Sequence, residues 1–242
     1  TDNSKQIIKD YDYKLISLNR NSGSGKTRNI GVKHSNTKFV AFVDSDCILP
    51  KTWLSRIMYD FKKNNIAFVC GDYSGSEGNS FLERYAFYEL FVRRKSLPKF
   101  VAAFPSNNFA CYKDIFLKMK GLPERKNYVA EDLEFSLKVG REYKILWDKE
   151  IKVKHHFHKK IKKYLKQQYK FARDTMLFYL NNPYLRKVKT YHEEKNKFVI
   201  FYTGFLGLLF LGAIFNKIFY YLIIPSLLIL ILFDIKLLGY IY

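Results

Sequence analysis

Phe39-Val40-Ala41-Phe42-Val43-Asp44-Ser45-Asp46 is the stretch on which the fold turns. Five apolar residues in unbroken succession leave no polar face, the pattern of a strand covered on both sides within a sheet. Upstream, Lys14-Leu15-Ile16-Ser17-Leu18 reads as a short strand. Downstream, Pro50 opens a helix whose Trp53, Leu54, Ile57, Met58 and Phe61 share one face. Ala67 to Cys70 reads as another buried strand, and Lys144 to Trp147 and Ile151 to Lys154 as two more. Strands alternating with helices predict an α/β fold with a mostly parallel sheet flanked by helices, and ligands at the strand ends.

Composition narrows the chemistry. The 242 residues can bury one sizeable core. Lys and Arg number 42 against 22 Asp and Glu, so a net charge of +20 favours phosphates, acidic lipid or other anionic partners. Cys47, Cys70 and Cys111 are odd in number and lack metal-ligand spacing, which argues against a disulfide or zinc framework. The end of the chain is different in kind. Phe198 to Phe215 and Ile218 to Phe233 carry no charge and are separated only by Asn216-Lys217. At about 1.5 Å per helical residue each run approaches the ~30 Å hydrocarbon core, so a C-terminal transmembrane helical hairpin is expected over 198–242. The basic flank before Phe198 would then lie in the cytoplasm, placing the domain on the cytoplasmic face of the cytoplasmic membrane.

Four local patterns carry candidate chemistry. Asp44 and Asp46 follow the central strand; in an extended segment both carboxylates point to one side and suit Mg²⁺ or Mn²⁺ bridging a diphosphate. A polar turn would use the same residues. Gly23-Ser24-Gly25-Lys26-Thr27 mimics the end of a P-loop, but the first glycine of that pattern would fall at Arg20, so the Walker reading fails. A flexible loop delivering Lys26 and Arg28 to an anion remains, beside an ordinary solvated loop. Glu131-Asp132 opens a helical pattern, as helix caps or with one of them a general base. His155-His156-Phe157-His158 is the sole histidine cluster and could supply a metal ligand, or be a basic surface strand.

In their order, Gly25-Lys26-Thr27-Arg28-Asn29-Ile30-Gly31, Phe39 to Asp46, Glu131-Asp132 and Val153-Lys154-His155 resemble glycosyltransferase family 2 over roughly residues 1–173. The resemblance implies a GT-A fold and an inverting, metal-dependent transferase of the hexosyltransferase type. It implies Asp132 as catalytic base with Glu131 shaping the acceptor pocket. It also implies Asp2, Lys26, Arg28 and Asp44 near the nucleotide sugar, and Asp46, Asp44 and His155 at the metal. The donor would be UDP- or GDP-linked and the acceptor lipid-linked or a glycan. Thr1-Asp2-Asn3-Ser4 resembles a stretch that follows the family's second strand, so the family's first strand is expected to be missing.

Gln167-Gln168-Tyr169-Lys170-Phe171 resembles the Q-x-x-R-W motif of processive synthases, with Lys170 and Phe171 in place of Arg and Trp. It implies an acceptor-side role for Gln167, Gln168, Lys170 and Phe171, and argues for single-sugar transfer over processive synthesis. The segment around it is a basic amphipathic helix, suited either to an anionic lipid surface or to packing on the domain with a solvated lysine face. The expected organisation is a catalytic domain over 1–156, a helical connector over 157–197 and the hairpin over 198–242. A rival class is a non-catalytic, membrane-tethered basic module; it leaves the ordered carboxylates without a use, and no nucleic-acid partner is expected.

Overall fold

The computed structural model describes residues 3–188 and 195–241. In chain order its elements begin with α1 (Ser4–Asp10), α2 (Ser24–Lys33), β1 (Phe39–Val43), β2 (Cys47–Ile48), α3 (Trp53–Lys63), β3 (Phe68–Ser76) and α4 (Phe81–Arg94). Then follow β4 (Phe100–Val101), β5 (Asn108–Tyr112), α5 (Lys113–Lys118), α6 (Glu131–Glu142), β6 (Ile145–His155), α7 (Ile161–Asn181), α8 (Lys195–Phe215) and α9 (Ile218–Ile241).

The strands form one sheet in the order β1-β5-β3-β6-β2, with β4 also on β6. Its side chains explain the unbroken apolar runs. Phe68 and Cys70 of β3, Phe109 and Cys111 of β5, and Ile145 and Trp147 of β6 enter one core with Val32, Phe116, Phe135 and Val139. Val69, Ala110, Leu146, Ile151 and Val153 enter the other with Trp53, Ile57 and Phe61 of α3. Alternate residues face opposite layers, and both layers are apolar. The three cysteines are unpaired, with Cys70 and Cys111 inside.

The sheet is mixed rather than mostly parallel. Among the described residues only β3 and β6 run parallel; β1–β5, β3–β5, β2–β6 and β4–β6 are antiparallel. Burial on both faces produces the same apolar run whichever way the neighbour runs, so strand direction is not encoded in that signal. Residues 14–18 form no strand; Lys14 instead reaches the His34 carbonyl with its Nζ at 3.4 Å. The two strands expected at 144–147 and 151–154 are one. β6 runs through the polar Asp148-Lys149-Glu150 and shifts register against β3 beside Gly71. A side chain at Gly71 would collide with the Ile151 carbonyl, at 2.0 Å from the added carbon.

The transmembrane hairpin is not upheld: among the described residues no helix is long and apolar enough to cross a membrane. The apolar segments do form paired helices turning at Asn216-Lys217. Leu206, Leu209, Ala213 and Ile223 are buried between them with Phe219, and α9 also meets α4. Apolarity here serves packing as well as exposure, and the sequence run alone does not separate the two.

One buried amide fixes the placement of α2. Asn29 donates to the Leu122 carbonyl at 2.8 Å and to Glu124 Oε1 at 3.0 Å, and accepts from the Leu122 N–H at 2.9 Å. The fit is close enough that a Cβ at Gly25 would lie 2.2 Å from the Pro123 carbonyl oxygen. Replacing Asn29 by Ala leaves buried backbone groups without partners, each costing roughly 1–3 kcal/mol. Asn29→Ala is expected to lower unfolding free energy by at least that amount in urea titration; a change inside about 0.5 kcal/mol, as for an ordinary surface site, would show the clamp to be dispensable.

Candidate functional site

At the end of β1 the chain does not continue extended. Asp44 donates its N–H to the Asn107 carbonyl at 3.2 Å and accepts from the Cys47 N–H at 3.0 Å, closing a turn over Ser45-Asp46. The two carboxylates therefore diverge instead of facing one ligand side by side. Asp44 pairs with Arg28. Asp46 turns to β6, where β2 pairs Cys47 with His155.

Around Asp46 the backbone and rings are closely set. Its carbonyl accepts from the His156 N–H at 2.8 Å, and its Oδ2 lies 3.5 Å from His155 Nε2. The His155 imidazole holds the Asp46 carboxyl below the usual carboxylate range. The imidazole is itself wedged between Tyr73 and Phe157, with ring centroids at 4.9 and 4.4 Å. Behind Tyr73, Arg94 is buried, pairs with Asp72 at 3.2 Å and lies over the Tyr73 ring. Asp46, Cys47 and His155 each offer a ligand atom, all within 4.8 Å of one another. Burial pushes the Cys47 thiol up to about 12, with the Asp46 and Asp44 charges adding to it, so the thiol stays protonated. The Asp46 carboxylate oxygen suits Mg²⁺ or Mn²⁺, and the His155 imidazole nitrogen lies beside it as a second donor, better suited to Mn²⁺ than to Mg²⁺. Asp44 is not in this group.

The second half of the site sits at the start of α6. Glu131 Oε1 accepts from Ser24 Oγ and lies 3.6 Å from Arg28 Nη1, while Arg28 Nη2 meets Asp44. One guanidinium thus links the strand end to the helix start. Asp132 accepts from the Ser106 N–H at 3.3 Å and from the Leu133 N–H at 2.7 Å. Burial, then the Glu131 charge, pushes its carboxyl up to about 7 despite these donors. A carboxyl that exchanges its proton near neutrality, at a helix start, is equipped for acid–base work.

Asp132 is approached by a loop held from outside. Asp174 of α7 is buried and accepts the Val129 N–H at 2.9 Å. Its neighbour Arg173 donates Nε–H to it at 2.7 Å and reaches the Asn127 carbonyl at 3.4 Å. A cavity of about 290 Å³ lies along this loop, with Arg125, Tyr128, Glu134, Asp174 and Asn182 in its wall.

Several expected residues sit differently from their sequence reading. Lys26 and Arg28 are on the first turns of helix α2, not on a flexible loop. Gln167, Gln168 and Lys170 are half-buried along α7 and Phe171 is exposed; the deeply buried residues of that helix are Asp174 and Phe178. Asp2 lies outside the described residues. Ser24, Ser106, Asn107 and Asp174 were not singled out by sequence. Each acts through one hydrogen bond to a residue distant in the chain, and no spacing rule announces such a bond.

Residues 1–119 match the family model for glycosyl transferase family 2. Asp132 and His155 fall beyond that span, so their placement rests on geometry. Among solved structures, the fold is similar to S. aureus TarS 1–349 in complex with UDP-GlcNAc: TM-score 0.50, 19% identity, 66% of this chain and 48% of that one. It is also similar to the mannosyltransferase PcManGT from Pyrobaculum calidifontis, in complex with GDP-Man and Mn²⁺: TM-score 0.55, 13% identity, 78% of this chain and 53% of that one. The chain spans about half the length of these relatives, and at such identities the likeness is one of fold. A search of curated proteins finds no match. Residues 1–119 thus carry the signature of glycosyl transferase family 2, on a fold similar to that of these two glycosyltransferase structures.

Proposed function

We propose that the chain transfers a sugar from a UDP- or GDP-linked donor to a hydroxyl of a glycan or lipid-linked acceptor, with inversion, and that Asp132 is the base. The observation that carries this reading is the Asp132 carboxyl. It is half-buried and pushed up to about 7, and Glu131 beside it is joined through Arg28 to the strand end bearing Asp44 and Asp46. The family match over residues 1–119 and the nucleotide sugars bound by the two structural relatives support the donor class.

The roles follow from placement. Asp132 takes the acceptor hydroxyl's proton as that oxygen attacks the anomeric carbon, and the donor diphosphate leaves from the opposite face. Ser106 and the α6 start hold the carboxyl in place. Arg28 orients Glu131 and Asp44 at the boundary between donor and acceptor sides. Asp46 and His155 would hold Mg²⁺ or Mn²⁺, which when bound offsets charge on the departing diphosphate. Lys26, on the first turn of α2, adds positive charge on the donor side.

Loss of a general base costs about 10²–10⁴-fold in rate. Asp132→Asn is expected to lose that much turnover while keeping donor affinity measured by calorimetry, and the wild-type rate is expected to fall on the acid side of about pH 7. Stability supplies an independent sign. The folded carboxyl titrates above its ordinary value, so its proton-linked stabilisation is complete below about pH 4 and is lost as pH rises through about 7. Asp132→Asn should therefore melt higher than wild type at pH 8 and show no such gain at pH 4. Near-normal turnover, with no melting gain at pH 8, would remove Asp132 from the mechanism.

The ion assignment is tested separately. Donor binding is expected to weaken at least tenfold on adding EDTA, and in Asp46→Ala or His155→Ala to be weak with or without the chelator. Binding that is indifferent to both the chelator and Asp46→Ala would exclude an ion at these residues.

A further inference from the structure

We propose that α7 is an interfacial helix that docks the protein on an anionic lipid bilayer, lying in the plane of the surface with one apolar stripe pressed into it. The observation is an inverted helix. Ile161, Leu165, Tyr169, Met176 and Leu180 recur at helical spacing and are 58, 57, 67, 63 and 51% exposed. In a helix packed conventionally on a domain, such a stripe faces the core. Here the domain side is taken by Asp174 and Phe178. At about 100° per residue, Leu165 and Asp174 point in opposite directions, so the apolar stripe is aimed directly away from the protein.

The charge beside the stripe selects the occupant. Lys159, Lys160, Lys162, Lys163 and Lys166 are all exposed. The one acidic side chain of the helix, Asp174, is buried on the far side and already holds Val129 N–H and Arg173. The outward surface is therefore cationic and apolar with no acid in it. An anionic bilayer answers both halves, phosphate and carboxylate headgroups for the lysines and acyl chains for Leu165 and Met176. A nucleic acid would answer only the charge. At about 1.5 Å per residue the 21 residues of α7 extend about 30 Å, enough for a broad contact without any span across the bilayer.

The opposite side of the same helix braces the loop before Asp132, through Asp174 on Val129 and Arg173 on Asn127. Docking would set the acceptor side of the site against the lipid surface, where a lipid-linked acceptor resides. That consequence rests on the glycosyltransferase reading; the docking itself does not.

The test is co-sedimentation of the full chain with vesicles of phosphatidylcholine alone or mixed with phosphatidylserine. Nucleotide release from the donor, without acceptor, is read in parallel. Wild type is expected to partition at least about tenfold more strongly onto the mixed vesicles. Leu165→Glu with Met176→Glu should abolish that gain, and Lys162→Gln with Lys166→Gln should weaken it and flatten its salt dependence, all with unchanged donor hydrolysis and melting temperature. Three outcomes overturn the proposal. The first is no preference for the anionic vesicles. The second is undiminished binding by the Leu165→Glu, Met176→Glu variant, which would move the contact to other exposed apolar surface such as Leu208 and Ile214 of α8. The third is vesicle binding removed by salt, indifferent to Leu165 and Met176 and matched on heparin, the mark of a polyanion site. Absence of donor hydrolysis in wild type with lipid binding intact would sink the transferase reading and leave the docking standing.

Discussion

The Arg28 guanidinium is the interaction on which the site depends. It reaches Asp44 at the end of β1 with one nitrogen and Glu131 at the start of α6 with the other, and its side chain is only 15% exposed. On the Glu131 side, where both groups are largely withdrawn from water, attraction is far stronger than in solvent, but so is the cost of stripping each ion of it; Asp44 is more open, at 34% exposure. Such a pair is costly to break from one side, since removing Arg28 leaves two acids facing each other near a third, Asp132. The arrangement therefore constrains rather than merely decorates: α2, β1 and α6 are held in one relation, and Asn29 fixes α2 against the 122–124 segment to keep it there.

Some buried polar atoms of the site are left without hydrogen-bond partners. Arg28 Nη1, Glu131 Oε2 and His155 Nδ1 are among the buried side-chain atoms with no hydrogen-bond partner. A core assembled for stability alone pairs such atoms, because each unpaired one costs free energy. Others lie away from the site, at Asp60 and Trp147 among them, so this cost is not confined to it. Asp132 shows the same logic from the other side. Its two backbone donors favour the charged form, yet burial and Glu131 prevail and carry it to about 7. The sheet can carry this cost because its two apolar layers are complete on either side.

Much of this was legible in the residues, and the parts that were not share a cause. The β1 run, the apolar face of α3 and the opening of α6 at Glu131-Asp132 follow from local periodicity, and the structure has them there. The D-x-D motif was legible as chemistry but not as geometry: the i, i+2 rule holds for an extended strand, and the turn closed by Cys47 N–H on Asp44 ends the strand one residue too soon. Strand direction was hidden because double-sided burial erases it. The GKT segment suggested a loop since glycines flank it, whereas Gly25 serves close packing inside a helix. The apolar length of α8 and α9 misled for a related reason: hydrophobicity reports removal from water and does not say what replaces it.

α7 carries that last point further. A sequence pattern of leucines, tyrosine and methionine at helical spacing with lysines between them fits equally a helix packed on a domain and one laid on a surface. Burial decides, and it decides through the polar residues: Asp174 turns inward because it has a backbone N–H to accept and Arg173 to balance it. Once that acid is committed to the loop before Asp132, the helix phase is fixed, and Leu165 and Met176 have nowhere to go but outward. The outward stripe and the brace on the loop before Asp132 are thus two consequences of one rotational setting. A change of that setting would bury the stripe and release the loop together, so the surface the protein presents and the placement of Asp132 are linked through a single helix.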